Sequence, residues 1–238
     1  MVRPQLVTVA HGTRHGPGNR VARSLTAQAA RRLGGIPGVT SYVELSLPSF
    51  ASVMATSEAP SLVVPLLLSA GYHTRVDLPE AVAMSRRPVR ITRPLGPHPL
   101  LAEVMARRLI AAGARIDDPV VMVAAGSRDE AAGVDLDAAV RLLRARWGGP
   151  VTLATVSGRG LPVGEAVAQA REHTRTPSRV AVAPYLLAAG HFSQRVTYLA
   201  RSHGVEVVGD VLGPHPLVAE LVARRYRAAL TAHTRLAA

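Results

Sequence analysis

The sequence predicts an α/β fold of two similar lobes, each a central parallel sheet flanked by helices. Three observations predict it: the chain repeats itself, short β-branched runs alternate with longer helix-period segments, and the strand-like runs are apolar throughout rather than alternating. In the repeat, "VTVAHGTRH" (Val7–His15) matches "VMVAAGSRD" (Val121–Asp129), and "PLLLSAGYHTRV" (Pro65–Val76) matches "PYLLAAGHFSQRV" (Pro184–Val196) with one inserted residue. A third pair is "LGPHPLLAEVMARR" (Leu95–Arg108) with "LGPHPLVAELVARR" (Leu212–Arg225). The offsets are 114, 119 and 117 residues, read from Val7 to Val121, Pro65 to Pro184 and Leu95 to Leu212. Segments in one order at a near-constant offset mark a duplicated unit. The expected division is residues 1–117 and 118–238, joined near Asp117–Pro119.

The elements of the first lobe follow from period and punctuation. "LVTVA" is a strand, and Asn19–Leu33 a helix with Val21, Leu25, Ala29 and Leu33 on one face. "VTSYVEL" is the next strand, followed by a helix over Leu47–Thr56 opened near Pro48. "SLVVPLLL" is a fully buried run, and Leu78–Ser85 starts another helix. "VRITRPL" is the last strand, and "HPLLAEVMARRLIAAG" a helix closed at Gly113. Continuous apolar strands between helices imply parallel sheets covered on both faces.

Composition narrows the chemistry. The chain has no cysteine, which excludes disulfides, Cys-ligated zinc and thiol nucleophiles, so any metal is met by nitrogen and oxygen. Aromatics are 3% against 48% hydrophobic residues, so the core is built from Val, Leu, Ala, Ile and Met. The formal charge is +12, but the basic residues are scattered and not interleaved with aromatics, so nucleic acid is not the expected partner; a small polyanion would exploit the same field, and solvation of helix faces is the plainer account of much of the charge. "LVVPLLLSAG" falls short of the roughly 18 apolar residues of a membrane span, and "MVRPQLVTVAHG" runs straight into a strand and glycine turn. A cytoplasmic location, no membrane partner and a monomeric chain are the expectations.

Ligands of parallel α/β sheets bind beyond the carboxyl ends of the strands. His11 after "LVTVA", Glu44 at the end of "VTSYVE" and His73 after "PLLLSAG" all fall there. The second lobe has Ala125, Gly158 and Phe192 at the matching places, with His191 one position away. Polar groups kept in one lobe only point to a site, whereas a structural role is expected to recur. His98 and His215 recur within "GPHPL" at helix starts, where capping or packing is the simpler account. The glycine turns "HGTRHGPG" and "AGSRD" aim backbone N–H groups and the hydroxyls of Thr13 and Ser127 at an anion, with Arg14 and Arg128 in the same turns. Arg75 and Arg195 stand beyond the third segment's glycine, where they either bind carboxylates bidentately or simply decorate the surface. Neither turn has a dinucleotide or P-loop motif. The "RHG" triplet at Arg14–Gly16 is shared with histidine phosphatases, which makes phosphoryl transfer through His15 the outlying alternative.

With "AHGTR", "VELSLPSF", "PLLLSAGYHTRVDLPEA" and "LGPHPLL" in hand, the chain resembles the sirohydrochlorin chelatases of the CbiX/SirB type over nearly its whole length. The resemblance implies a two-lobed class II chelatase that inserts ferrous iron into sirohydrochlorin to give siroheme. The alternatives are cobalt insertion for cobalamin synthesis and non-catalytic tetrapyrrole binding. It casts His11 and His73 as metal-handling residues, Glu44 as the assisting carboxylate, and Fe(II) or Co(II) as substrate with no tightly bound cofactor. The second lobe lacks the triad and is expected to be catalytically degenerate. His15 stands where the family usually has an acidic residue after its Ser-Arg.

Overall fold

A computed structural model describes residues 3–172 and 179–236. The chain divides into two compact units, one formed by Met1–Leu95 with Pro214–Ala238 and the other by Gly96–Gly213. In unit 1 the elements are β1 (Gln5–Ala10), α1 (Gly16–Arg32), β2 (Gly38–Tyr42), α2 (Phe50–Thr56), β3 (Ser61–Pro65), the short α3 (Tyr72–Arg75), α4 (Asp77–Ala83) and β4 (Val89–Ile91). Unit 2 holds α5 (Pro99–Ala111), β5 (Val120–Ala124), α6 (Glu130–Trp147), β6 (Val151–Thr155), α7 (Val163–Glu172), β7 (Ala181–Tyr185), α8 (His191–Ser202) and β8 (Val207–Val208). The last helix, α9 (Pro216–Leu236), belongs to unit 1.

Each unit is an α/β layer structure around a four-stranded parallel sheet, ordered β2-β1-β3-β4 in one and β6-β5-β7-β8 in the other. The apolar runs are buried as their patterning requires: every residue of β3, β5 and β7 is inaccessible. In unit 1, Val7, Val9 and Val63 pack on Phe50, Met54, Leu78 and Ala81 from α2 and α4. Val121, Val123 and Val182 take the same positions in unit 2 against Val163, Val167 and Val196. Polar groups buried under α1 satisfy one another: Thr8 and Thr26 hydroxyls lie 2.6 Å apart, and Thr26 Oγ1 donates to Ala22 O at 2.9 Å.

The repeat boundary and the packing boundary differ. α5 closes the first repeat in sequence, yet it packs on α6 and β7 of unit 2. α9 closes the second repeat and packs on α1 and β3 of unit 1. The chain therefore passes between units inside the paired "LGPHPL" segments, before Gly96 and after Gly213. There His98 Nδ1 accepts from Leu100 N–H and His215 Nδ1 from Leu217 N–H, both at 3.1 Å, the capping role being one of the two accounts of their recurrence. α9 is tied down by Tyr226, whose hydroxyl donates to Pro4 O at 2.5 Å, and by Arg225, which donates to Pro94 O and Leu95 O at 3.0 Å. Arg225 is only 8% exposed, and burial, with the like charge of Arg93, lowers it to about 10. No helix among the described residues is long and apolar enough to cross a membrane.

Candidate functional site

Sheet growth in unit 1 changes direction between β1 and β3: β2 pairs on one side of β1 and β3 on the other. A crevice opens at the carboxyl ends of strands flanking such a switch point. His11 is the first residue after β1, and His73 lies in α3, in the segment that leaves β3. Their rings meet edge to face, with centroids 5.0 Å apart and planes at 81°.

Gly12 makes the first half of this geometry possible. Its φ is +93°, and a Cβ there would lie 1.9 Å from the carbonyl oxygen of Glu44. The turn is locked to the chain leaving β2, because Glu44 N–H donates to His11 O at 2.9 Å. Ser46 Oγ accepts from Thr13 N–H at 3.2 Å and donates to Thr13 O at 2.9 Å, and Asn19 holds both partners at 2.8 Å. His73 is held from the start of the next helix, α4. Asp77 sits four residues on, one helical turn away, and its Oδ2 lies 2.5 Å from His73 Nδ1.

These contacts fix which nitrogen faces outward. A carboxylate and a carbonyl oxygen only accept, so the proton lies on Nδ1 of His73 toward Asp77 and on Nδ1 of His11 toward Gly12 O at 3.3 Å. A ring so placed that carries a single N–H has its lone pair on Nε2, the arrangement in which imidazole binds a metal while an oxygen at Nδ1 orients it. Glu44 is exposed and lines a groove of about 340 Å³ together with Asp77, Glu80, Leu78 and Met84. Among the described residues no three His, Cys, Asp or Glu side chains gather closely enough to hold an ion, so Glu44 is not drawn in as a third member of the histidine pair. Asp77 was not singled out from the sequence. Its signal was the His-x-x-x-Asp spacing of "HTRVD", which becomes meaningful once the segment is seen to be helical.

The remaining candidates divide between the units. Thr13 and Arg14 share the His11 turn, and Arg75 ends α3 two residues beyond His73. Thr13 Oγ1 accepts from His15 N–H and Ser127 Oγ from Asp129 N–H, each at 3.0 Å, so both hydroxyls shape their turns. Arg128 is exposed in unit 2, and Arg195 lies 5.4 Å from the ring of Tyr198. The helix starts differ: Asp129 Oδ1 caps α6 at Ala131 N–H with Glu130 beside it, whereas α1 begins at His15 with no side-chain cap and no acidic residue in its first turn. The start of α1 thus keeps the field that favours an anion, and that of α6 has supplied its own.

Two matches between the lobes shift by a residue. The bridges Tyr42–Ser49 and Thr155–Pro162 align Glu44 with Ser157, not with Gly158. Thr74 bonds Gly71 as Ser193 bonds Gly190, which keeps Phe192 opposite His73 but aligns Arg75 with Gln194, so Arg195 is one residue further along. The inserted residue falls after this turn, where α8 runs on unbroken and α3 gives way to α4 at Val76.

The family model named CbiX matches residues 5–112 and 119–229. Among solved structures, the chain is similar to SirB from Bacillus subtilis with Fe3+, at 22% identity and a TM-score of 0.73 over 95% of both chains. It is similar to SirB from Bacillus subtilis subspecies spizizenii in complex with cobalt, at 23% identity and 0.72 over 95% of this chain and 94% of the other. CbiX, the terminal enzyme for siroheme biosynthesis in denitrifying bacteria, gives 20% and 0.71 over 95% and 99%. No curated protein sequence matches.

Proposed function

The chain belongs to the CbiX family, and from that premise we propose that it inserts a divalent first-row metal, physiologically Fe(II), into sirohydrochlorin to give siroheme. The observation that carries this reading is the pair of imidazoles at the β1/β3 switch point, 5.0 Å apart, each with Nδ1 directed at an oxygen. Two neutral nitrogens bind Fe(II) or Co(II) well enough to collect the ion and loosely enough to surrender it to four pyrrolic nitrogens. The metal is a substrate in this reaction, and His11 and His73 are its delivery ligands.

Insertion replaces two pyrrole protons by one M2+, so the site must accept two protons per turnover. Glu44, beside the His11 turn, is the assisting carboxylate in this reading, and the imidazoles take protons as they release the metal. Asp77 is a positioning residue that fixes the His73 ring. Arg14 and Arg75, with the amide groups of the His11 turn, meet the carboxylate rim of the macrocycle. Thr13, in the His11 turn, belongs to the same proposed anion-binding set; Ser127, Arg128 and Arg195 are proposed anion-binding residues of unit 2 in their own right. Iron is favoured over cobalt by the similarity to a siroheme-forming CbiX; a related SirB is known with cobalt.

Anaerobic titration with sirohydrochlorin and Fe(II) or Co(II), followed by absorption, tests the reading. Wild-type protein metallates the tetrapyrrole catalytically. His73→Ala lowers the rate at least about 100-fold with either ion, the scale on which a lost delivery ligand acts, and still binds tetrapyrrole. A stoichiometric spectral shift without turnover in the wild type identifies a carrier, and wild-type rates in His73→Ala remove this histidine from the mechanism.

A further inference from the structure

The loop after the second strand of each unit has one length and two furnishings. The bridges Tyr42–Ser49 and Thr155–Pro162 bring Leu45 into register with Gly158 and Leu47 with Gly160. Both glycines have positive φ, +75° and +133°. A Cβ on Gly158 would lie 2.7 Å from Ser127 O, and one on Gly160 would lie 2.7 Å from Thr155 Oγ1. In unit 1 the chain takes the same left-handed step at Leu45, with φ +57°. That conformation disfavours any residue with a Cβ, and the second repeat makes the turn with glycine.

Neither leucine is repaid by the core. Leu45 is 50% exposed and Leu47 is 83% exposed. The fold thus keeps two apolar side chains in water, one of them on unfavourable backbone, in the unit that holds the histidine pair. Their placement follows from hydrogen bonds already described. Leu45 follows Glu44, whose N–H bonds His11 O, and Ser46, between the leucines, is bonded twice to Thr13. Strain retained at a loop beside a site is evidence of use there.

We propose that Leu45 and Leu47 form an apolar shelf for the ring face of the tetrapyrrole, beside the two histidines. This rests on the metal-insertion reading. A macrocycle with acidic substituents presents two chemistries, a carboxylate rim and an apolar π face. Arginines and amide groups hold the rim but accept many polyanions. Contact with the face selects a macrocycle, and it sets the height of the pyrrolic nitrogens above the metal ligands.

The test uses the full-length protein with Leu45→Gly, Leu47→Ser, the double variant and Leu47→Met. Tetrapyrrole affinity is read by absorption titration with sirohydrochlorin, alongside KM for each substrate, Co(II) affinity, Tm and sedimentation. The double variant binds sirohydrochlorin at least about tenfold more weakly, the loss expected when one leucine's worth of burial is removed. Its KM for tetrapyrrole rises in step, and Co(II) affinity and Tm stay at wild-type values. Leu47→Met, apolar and similar in size, retains affinity. Unchanged sirohydrochlorin affinity in the double variant overturns the proposal, as does loss of Co(II) binding or of folding, which would make the loop a scaffold. A wild-type dimer that becomes monomeric in the double variant also overturns it, assigning the leucines to a contact between copies. Failure of the wild type to metallate sirohydrochlorin would defeat the underlying reading and is seen separately.

Discussion

The two units share their backbone logic and differ in a few side chains placed on it. Gly12 and Gly126 have the same φ of +93°, and each leaves no room for a Cβ beside the facing carbonyl, Glu44 O or Ser157 O. Glu44 N–H bonds His11 O as Ser157 N–H bonds Ala125 O. On this common frame unit 1 has His11, Glu44 and His73 where unit 2 has Ala125, Ser157 and Phe192. The grooves beside them differ in charge too: Glu44, Asp77 and Glu80 line the one in unit 1, whereas Arg195 and His203 with the single carboxylate Glu165 line its counterpart. The turn geometry therefore belongs to the fold, since it is kept where the histidines are absent. The histidine pair and Glu44 are an addition to one copy.

Substitution of the shared glycines should break the comparison most severely. Gly12→Ala and Gly126→Ala each force a Cβ into a carbonyl and should cost about 3 kcal/mol or more, comparable to the larger single-site losses. Thermal unfolding checks this. Only Gly12→Ala should also lower the metallation rate per folded molecule, because only its turn carries a histidine. Asp77→Asn comes next. The amide can turn its NH2 toward Nδ1 and favour the wrong tautomer, so Co(II) affinity should fall about 10- to 100-fold, with sirohydrochlorin affinity and Tm near wild type. Asp77→Glu should recover part of the loss if orientation of His73 is what Asp77 provides. The smallest effect belongs to unit 2, where Glu103 on α5 is bonded by Arg146 of α6 and by Arg107. Those two arginines hold its carboxyl below the ordinary 4.5. A carboxylate depressed in the folded state stabilises above its unfolded pKa and loses that contribution as pH falls through the lower folded value. Glu103→Gln should thus cost under about 1 kcal/mol at neutral pH and progressively less as the pH drops below the ordinary value. A pH series of melting curves for both proteins measures it.

The features read correctly from the sequence are those fixed by local pattern. Strand runs such as Ser61–Pro65 are buried because they are apolar throughout, and the GPHP histidines cap helices, one of the two roles their recurrence implied. The paired histidines were legible because the ends of parallel strands gather ligand-facing residues. Asp77 was missed because an acidic residue at a helix start is ordinary until its partner is known to lie one turn away. Leu45 and Leu47 read as a strand end and a helix start; only the backbone shows a left-handed leucine between the two elements. The placement of α5 and α9 was left open by the sequence, since the last helix of a lobe can pack on its own sheet or cross to its neighbour's. A repeat records which segments are alike and carries no record of the sheet on which each helix settles.

That last arrangement has a consequence for how the molecule is made. Unit 2 is one uninterrupted stretch, Gly96–Gly213, which in sequence separates the two segments of unit 1, Met1–Leu95 and Pro214–Ala238. As the polypeptide leaves the ribosome, the inner stretch can finish folding while the outer one still waits for α9. Both histidines precede unit 2 in the chain, yet their unit gains α9, with Arg225 on Pro94 O and Leu95 O and Tyr226 on Pro4 O, only after the whole of unit 2 has been made. A transcript cut short before Pro216 would encode every side chain of the histidine site without the helix that covers α1 and β3. The unit that holds the histidine pair is thereby completed only after unit 2 has been synthesised, and chains that stop short of α9 carry both histidines without that helix.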